Sequence, residues 1–219
     1  NFGRDLLARL VYGSRISLFI GFVVVSISAV IGTVLGLLSG YYGKWVDYIV
    51  MRLVEIFYSF PFLILVIGVI ALLGPSIYNM MAVLGLVSWP KYARVVRSLV
   101  LSLRETEFVQ AAKVIGTSDR RIIFRHILPN ALTPIIVQAT LSIPEAILAA
   151  ASLGFLGFGV QPPTPEWGTM MNEAREYIMI EPNLIFWPGL CVFLVVLNFN
   201  FVGDALRDAL DPRLSRQIK

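Results

Sequence analysis

Few side chains in this sequence are equipped for chemistry. Of 219 residues 15% are charged, one is histidine and one is cysteine. Glu145 stands alone in a long apolar run, directly after Pro144. An ionisable group in that setting either lines a water-accessible pathway or is held neutral or paired beside a proline kink. Arg52 and Glu55, at i and i+3, fit a structural ion pair on one helix face. Asn198 and Asn200 fit hydrogen bonds between helices, and Asn198 is also a pathway candidate with Pro144 and Glu145. His126 has no cysteine or acidic partner at ligand spacing, and Cys191 has no second thiol, so no metal site and no intrachain disulfide is expected. A serine-centred nucleophile motif, paired catalytic carboxylates and a glycine-lysine phosphate loop are all missing, which argues against an enzyme.

One polar segment is patterned for a partner. From Glu105 to Ile115 the residues Phe108, Ala111, Ala112 and Ile115 recur at helical spacing, flanked by Glu107, Gln110 and Lys113. Gly116 is placed to end this helix. Thr117 or Ser118 is placed to cap a second, with Asp119 in its first turn, running through Ile122, Ile123 and Phe124 until Pro129. Small side chains at Ala111 and Ala112 allow close approach of another surface. The same pattern fits an amphipathic loop packed on its own bundle. A DNA-reading helix-turn-helix fits poorly, because apolar spans tether the segment at both ends.

Those spans follow from composition. The chain is 57% hydrophobic, with mean hydropathy +0.78, whereas soluble domains are roughly 45–50% apolar and about 25% charged. Soluble, disordered and collagen-like classes are thereby excluded. With about 20 residues per crossing, spans are predicted at about 16–40, 48–73, 77–96, 130–157 and 183–202. Gly74-Pro75-Ser76 makes a tight turn between the second and third, and the third runs through Pro90 with Lys91 and Arg94 snorkelling to the interface. Residues 97–129 form the polar loop. Residues 158–182 form a loop on the other side, with Trp167 to Ile180 as a short interfacial helix. Residues 203–219 are a tail. Residues 1–15 are a leader in which Phe2, Leu6, Leu7 and Leu10 suit a helix lying on the outer surface.

Charge placement orients the bundle. Lys91, Arg94, Arg97, Arg104, Lys113, Arg120, Arg121 and Arg125 gather in and beside loop 97–129, and Lys44, Arg52, Arg207, Arg213, Arg216 and Lys219 fall on the same side. The opposite loop carries Glu166, Glu173, Glu176 and Glu181 against Arg175. The positive-inside rule puts the long loop and the C-terminus in the cytoplasm, and no nucleic acid is needed to explain a pI of 9.4. Arg4, Arg9 and Arg15 then fall outside. An upstream span is therefore expected, making six in the intact protein.

Glu107-Phe108-Val109-Gln110-Ala111-Ala112-Lys113-Val114-Ile115-Gly116, followed by His126-Ile127-Leu128-Pro129-Asn130, resembles the EAA loop of binding-protein-dependent ABC importer permeases. Gly3-Arg4-Asp5, Arg15-Ile16-Ser17-Leu18, Phe155-Leu156-Gly157, Gln161-Pro162-Pro163 with Trp167-Gly168, and Asp208-Ala209-Leu210-Asp211-Pro212-Arg213 narrow the resemblance to the dipeptide, oligopeptide and nickel permeases, dipeptide permease C type. Two positions depart from that pattern: Gln110 stands where the broad family has Glu, and Ala149 and Ala150 stand where an acidic residue is often found.

The resemblance implies an all-α polytopic permease of the type I importer fold in a bacterial inner membrane. Glu107, Phe108, Gln110, Ala111, Ala112, Gly116, Arg120, Leu128 and Pro129 would form the ATPase-coupling surface. The implied partners are a second permease subunit of dipeptide permease B type, two cytoplasmic ATPases, an external substrate-binding protein and the lipid bilayer. The chain itself would hold no cofactor, with ATP and magnesium on the ATPases. Nickel is the alternative cargo. An ion-coupled secondary transporter using Glu145 is a more distant alternative, disfavoured because no internal repeat is visible.

Overall fold

The computed structural model describes Gly3 and residues 5–210, which form helices and connections without a strand among them. In chain order the helices are α1 (Leu6–Tyr42), α2 (Lys44–Tyr58), α3 (Phe62–Leu73), α4 (Ile77–Leu103), α5 (Glu107–Val114), α6 (Asp119–Arg121), α7 (Leu128–Phe155), α8 (Trp167–Ala174) and α9 (Asn183–Leu210). A π-helical segment, Ile122–Ile127, joins α6 to α7. Phe2, Arg4, Asp211, Pro212, Arg213, Arg216 and Lys219, used above, lie outside the described residues.

Among the described residues three stretches are long and apolar enough to cross a membrane: Leu6–Tyr42, Asp119–Phe155 and Asn183–Leu210. Together α2 and α3 qualify as a fourth, but they are bent by 87°. The second span expected over 48–73, with a kink at Pro61, is thus bent more sharply than a kinked crossing. Pro61 lacks an N–H and disfavours helix at Phe60 before it, so α2 ends at Tyr58, with Ser59 as its C-cap, and α3 restarts at Phe62. The Gly74-Pro75-Ser76 turn closes as expected: Gly74 takes φ 86°, Ser76 accepts from the Tyr78 N–H, and the Asn79 amide donates to the Leu73 and Gly74 carbonyls.

α1 and α4 form the spine. Gly32, Gly36 and Gly40 lie one above another on α1, and a Cβ at Gly36 would sit 2.7 Å from the Ala93 carbonyl oxygen. Gly40 meets Val100 in the same way. The absence of side chains lets the two backbones touch, which is how helices associate where lipid removes the hydrophobic drive. Behind this seam Ile20, Val24, Val66, Met80, Leu84, Ile147 and Leu153 fill the main core.

Two expected surface helices are absorbed into the bundle. The leader is the first turns of α1 itself, capped by Asp5, whose side chain accepts from the Ala8 N–H. Leu6 and Leu10 pack against Trp167 and Met170 while Leu7 stays exposed. The loop helix α8 is likewise buried, because Trp167 is large enough to bridge α1 and α7 and donates its indole N–H to the Leu10 carbonyl.

Candidate coupling surface and membrane cavity

α5 stands at the end of the bundle where α1 and α4 finish and α7 begins. Val109 and Ala112 point inward, into a cluster with Leu37, Tyr41, Val96, Val100, Ile122 and Ile127. Phe108, Ala111, Val114 and Ile115 face out, with Ile115 81% exposed. The expected stripe of Phe108, Ala111, Ala112 and Ile115 is therefore split, and Ala112 is a packing residue rather than part of the outer face. A small residue at 112 is needed because α5 sits flat on its own bundle. Sequence periodicity could not distinguish the two faces, since both are apolar.

Gly116 ends α5 at φ 78°, with Thr117 N–H bonded to the Ala112 carbonyl and Gly116 N–H to Lys113, the pairing of a Schellman cap. Glu107, Gln110 and Arg120 are exposed. The Gln110 amide donates to the Arg104 carbonyl at 2.9 Å, a bond a carboxylate cannot make. This gives the family departure at Gln110 a local role, tying α5 to the end of α4.

The second loop helix does not stop at Pro129. It continues as one 37-residue helical stretch into α7. Proline is tolerated there because it falls in the first turn of α7, directly after the π segment. The Asn130 side-chain amide donates to the His126 carbonyl, meeting one acceptor of this irregular turn. Leu128 is half-buried against the α5 cluster, and Pro129 is exposed.

Polar clamps that the sequence pattern did not reveal hold this loop. The Tyr41 hydroxyl donates to Asp119 at 2.6 Å. Arg97 makes a two-pronged pair with Asp47, with Nη2 to Oδ2 at 2.6 Å, and Ser39 donates to the same carboxylate. Arg104 donates to the Gly40 carbonyl, and Lys113 lies over the Tyr41 ring. Arg97, Arg104 and Asp119 were legible as loop charges; their partners, 50 to 78 residues away, were not.

Within the bundle, Glu145 pairs with Lys91, Nζ to Oε2 2.6 Å. Lys91 does not snorkel, because an opposite charge on α7 lies nearer than the end of its helix. Both side chains line a cavity of about 320 Å³ with Ser28, Tyr58, Phe62, Tyr92 and Ser142. The break between α2 and α3 places Tyr58 and Phe62 on its wall. Pro144 is buried inside α7, which runs through it unbroken. Arg52 and Glu55 form the i,i+3 ion pair. Asn198 and Asn200 do not bond between helices, since each side-chain amide donates to a carbonyl of its own helix, Leu194 and Val196. Asn198 is exposed and is not on the cavity wall.

At the far end Glu166, 1% exposed, caps α8 by accepting from the Gly168 and Thr169 N–H groups, and Ser17 of α1 donates to it. Burial pushes its carboxyl above the usual range, against the lowering effect of those donors. The Thr169 hydroxyl donates to the Val160 carbonyl at 2.7 Å, with Glu166 Oε2 3.2 Å away as a second acceptor.

The family model for the "binding-protein-dependent transport system inner membrane component" matches residues 32–216, spanning the spine, α5, the cavity and α9. The chain belongs to that family. It is 51% identical over 214 residues to the dipeptide transport system permease protein DppC of Alkalihalophilus pseudofirmus, covering 98% of this chain and 70% of that protein. The Haemophilus influenzae DppC is 47% identical over 98% of this chain and 72% of its own length. The glutathione transport system permease protein GsiD of Pectobacterium atrosepticum is 45% identical over 97% and 70%. Among solved structures, the inward-facing MetNI methionine ABC transporter matches with a TM-score of 0.74 at 23% identity, covering 94% of this chain and 97% of its counterpart, which shows a shared fold. This permease is therefore an all-α, multi-pass inner-membrane transport component of an ABC importer.

Proposed function

We propose that this permease imports dipeptides or oligopeptides, received from an external binding protein, through a pathway shared with a second permease subunit of the dipeptide permease B type. Two ATPases on the cytoplasmic side bind ATP and magnesium and dock on α5, so that loop 97–129 and the C-terminus face the cytoplasm. The relatives named for dipeptides and glutathione support a peptide cargo over nickel.

The observation that carries the coupling reading is the mounting of α5. Its outer face offers Phe108, Ala111, Val114 and Ile115 to a partner, while Val109 and Ala112 fix its inner face to α1, α4 and α7. Rigid helices then convert a push on α5 into a change of access in the bundle. Glu145 is the pathway residue, because an ion pair whose acid is 64% exposed within a span is costly against lipid and suits water or a polar partner surface. In the complete importer reconstituted in vesicles, Ala111→Glu should leave basal ATP hydrolysis in place and abolish binding-protein-dependent peptide uptake. Unchanged uptake would remove the coupling assignment.

A further inference from the structure

The cavity that holds the Lys91–Glu145 pair has the chemistry of a ligand site. Its wall is mostly apolar, yet an ammonium and a carboxylate converge on it, with serines and Tyr58 also in the lining. Lys91 and Glu145 are 39% and 64% exposed, so both remain reachable from the cavity side. At about 320 Å³ the space lies at the small end of ligand sites, which run from about 300 to 1,000 Å³.

We propose that this cavity binds the backbone of a short peptide with both termini free, the Lys91–Glu145 pair opening to accept one end each. The peptide ammonium takes the place of Lys91 on Glu145. Its carboxylate takes the place of Glu145 on Lys91. No charge is left unpaired before or after the exchange, which makes it affordable in an apolar wall. Side chains of the peptide meet apolar surface, serines and Tyr58 and no further charge, so recognition is of the zwitterionic backbone and tolerates varied sequences. An acid alone or a cation alone would leave half of the separated pair unsatisfied. The inference rests on the reading of Glu145 as a pathway residue, and the test separates the two.

The complete importer, carrying Cys191→Ser and Ala149→Cys, is reconstituted in vesicles and treated with a membrane-impermeant polar maleimide in each nucleotide state. Ala149 is half-buried on the cavity wall, so a cysteine there reports occupancy directly. Dialanine should slow labelling. N-acetyl-dialanine and dialanine amide should need about ten- to hundredfold higher concentrations, as expected for losing one charge-assisted hydrogen bond. Glu145→Gln should abolish the discrimination against the N-acetyl form alone, and Lys91→Met that against the amide alone. The neutral double variant K91M/E145Q, free of any unpaired charge, should discriminate against neither. Labelling that dialanine does not slow, or that all three compounds slow equally, overturns the peptide site and leaves the pathway reading standing. A cysteine at 149 that never reacts, together with an unreactive Glu145→Cys, overturns both.

Discussion

The two ends of the bundle are held by opposite means. At the α8 end the contacts are dry and backbone-to-backbone: a Cβ on Gly168 would lie 2.2 Å from the Ala151 carbonyl oxygen, Trp167 is 2% exposed, and Glu166 is buried among four hydrogen-bond contacts. At the α5 end the inner face is apolar, but the attachments are hydrogen bonds and ion pairs with partly exposed side chains, as in Arg97–Asp47 at 31% and 23%. A seam closed by backbone contact has one arrangement, because nothing can slide without collision. A loop fixed by long polar side chains can shift while keeping its partners. The difference suits an element that must receive a push at one end and a bundle that must stay sealed at the other.

The largest effect should come from breaking the dry end. Gly168→Val forces a side chain into the Ala151 backbone and should cost about 3 kcal/mol or more, seen as loss of folded protein in detergent. Next comes the contrast between neighbours in α5. Ala112→Glu buries an unpaired charge and should destabilise by roughly 3 kcal/mol. Ala111→Glu, on the exposed face, should leave the stability within about half a kcal/mol of the parent, with little change in melting temperature, and affect only coupling. If both variants melt alike, the split between inner and outer faces is wrong.

Glu166 offers a pH-dependent test of the sealed end. Its carboxyl is raised on folding, so its contribution to stability is complete below the ordinary carboxylate value of about 4.3 and is lost as pH rises through the folded value. The melting temperature should fall from acidic to neutral or alkaline pH by an amount that Glu166→Gln removes; an identical pH profile for the variant would discount the buried acid. The smallest effect belongs to the clamped end. Tyr41→Phe deletes one hydrogen bond to Asp119 and should cost about 1 kcal/mol, measured as a shift in the unfolding midpoint, with faster amide exchange confined to residues 107–121.

Much of the site was legible in one dimension. The helix over α5, its stop at Gly116, and the tight turn at Gly74-Pro75-Ser76 follow from local periodicity and from residues with one backbone preference. The motif positions Glu107 to Gly116 placed the chain in its family. What escaped was partnership. Val109 and Ala112 are as apolar as Phe108 and Ile115, so the inward face is chosen by the bundle underneath. Lys91 and Glu145, 54 residues apart, read as one snorkelling cation and one isolated acid until α4 and α7 came together. Pro129 and Pro61 both disfavour helix before them; the first-turn position let a helix continue through one, and the chain bends by 87° near the other.

The sequence by itself determined that this is a helical membrane protein, where its polar loop lies, and which family it joins, because composition, periodicity and motif are properties of the chain alone. Tertiary structure alone decided which face of α5 looks outward, that α8 is core rather than surface, and that the two charges within the membrane neutralise one another. Burial and ion pairing are relations between distant residues, and they exist only once the helices have chosen their neighbours.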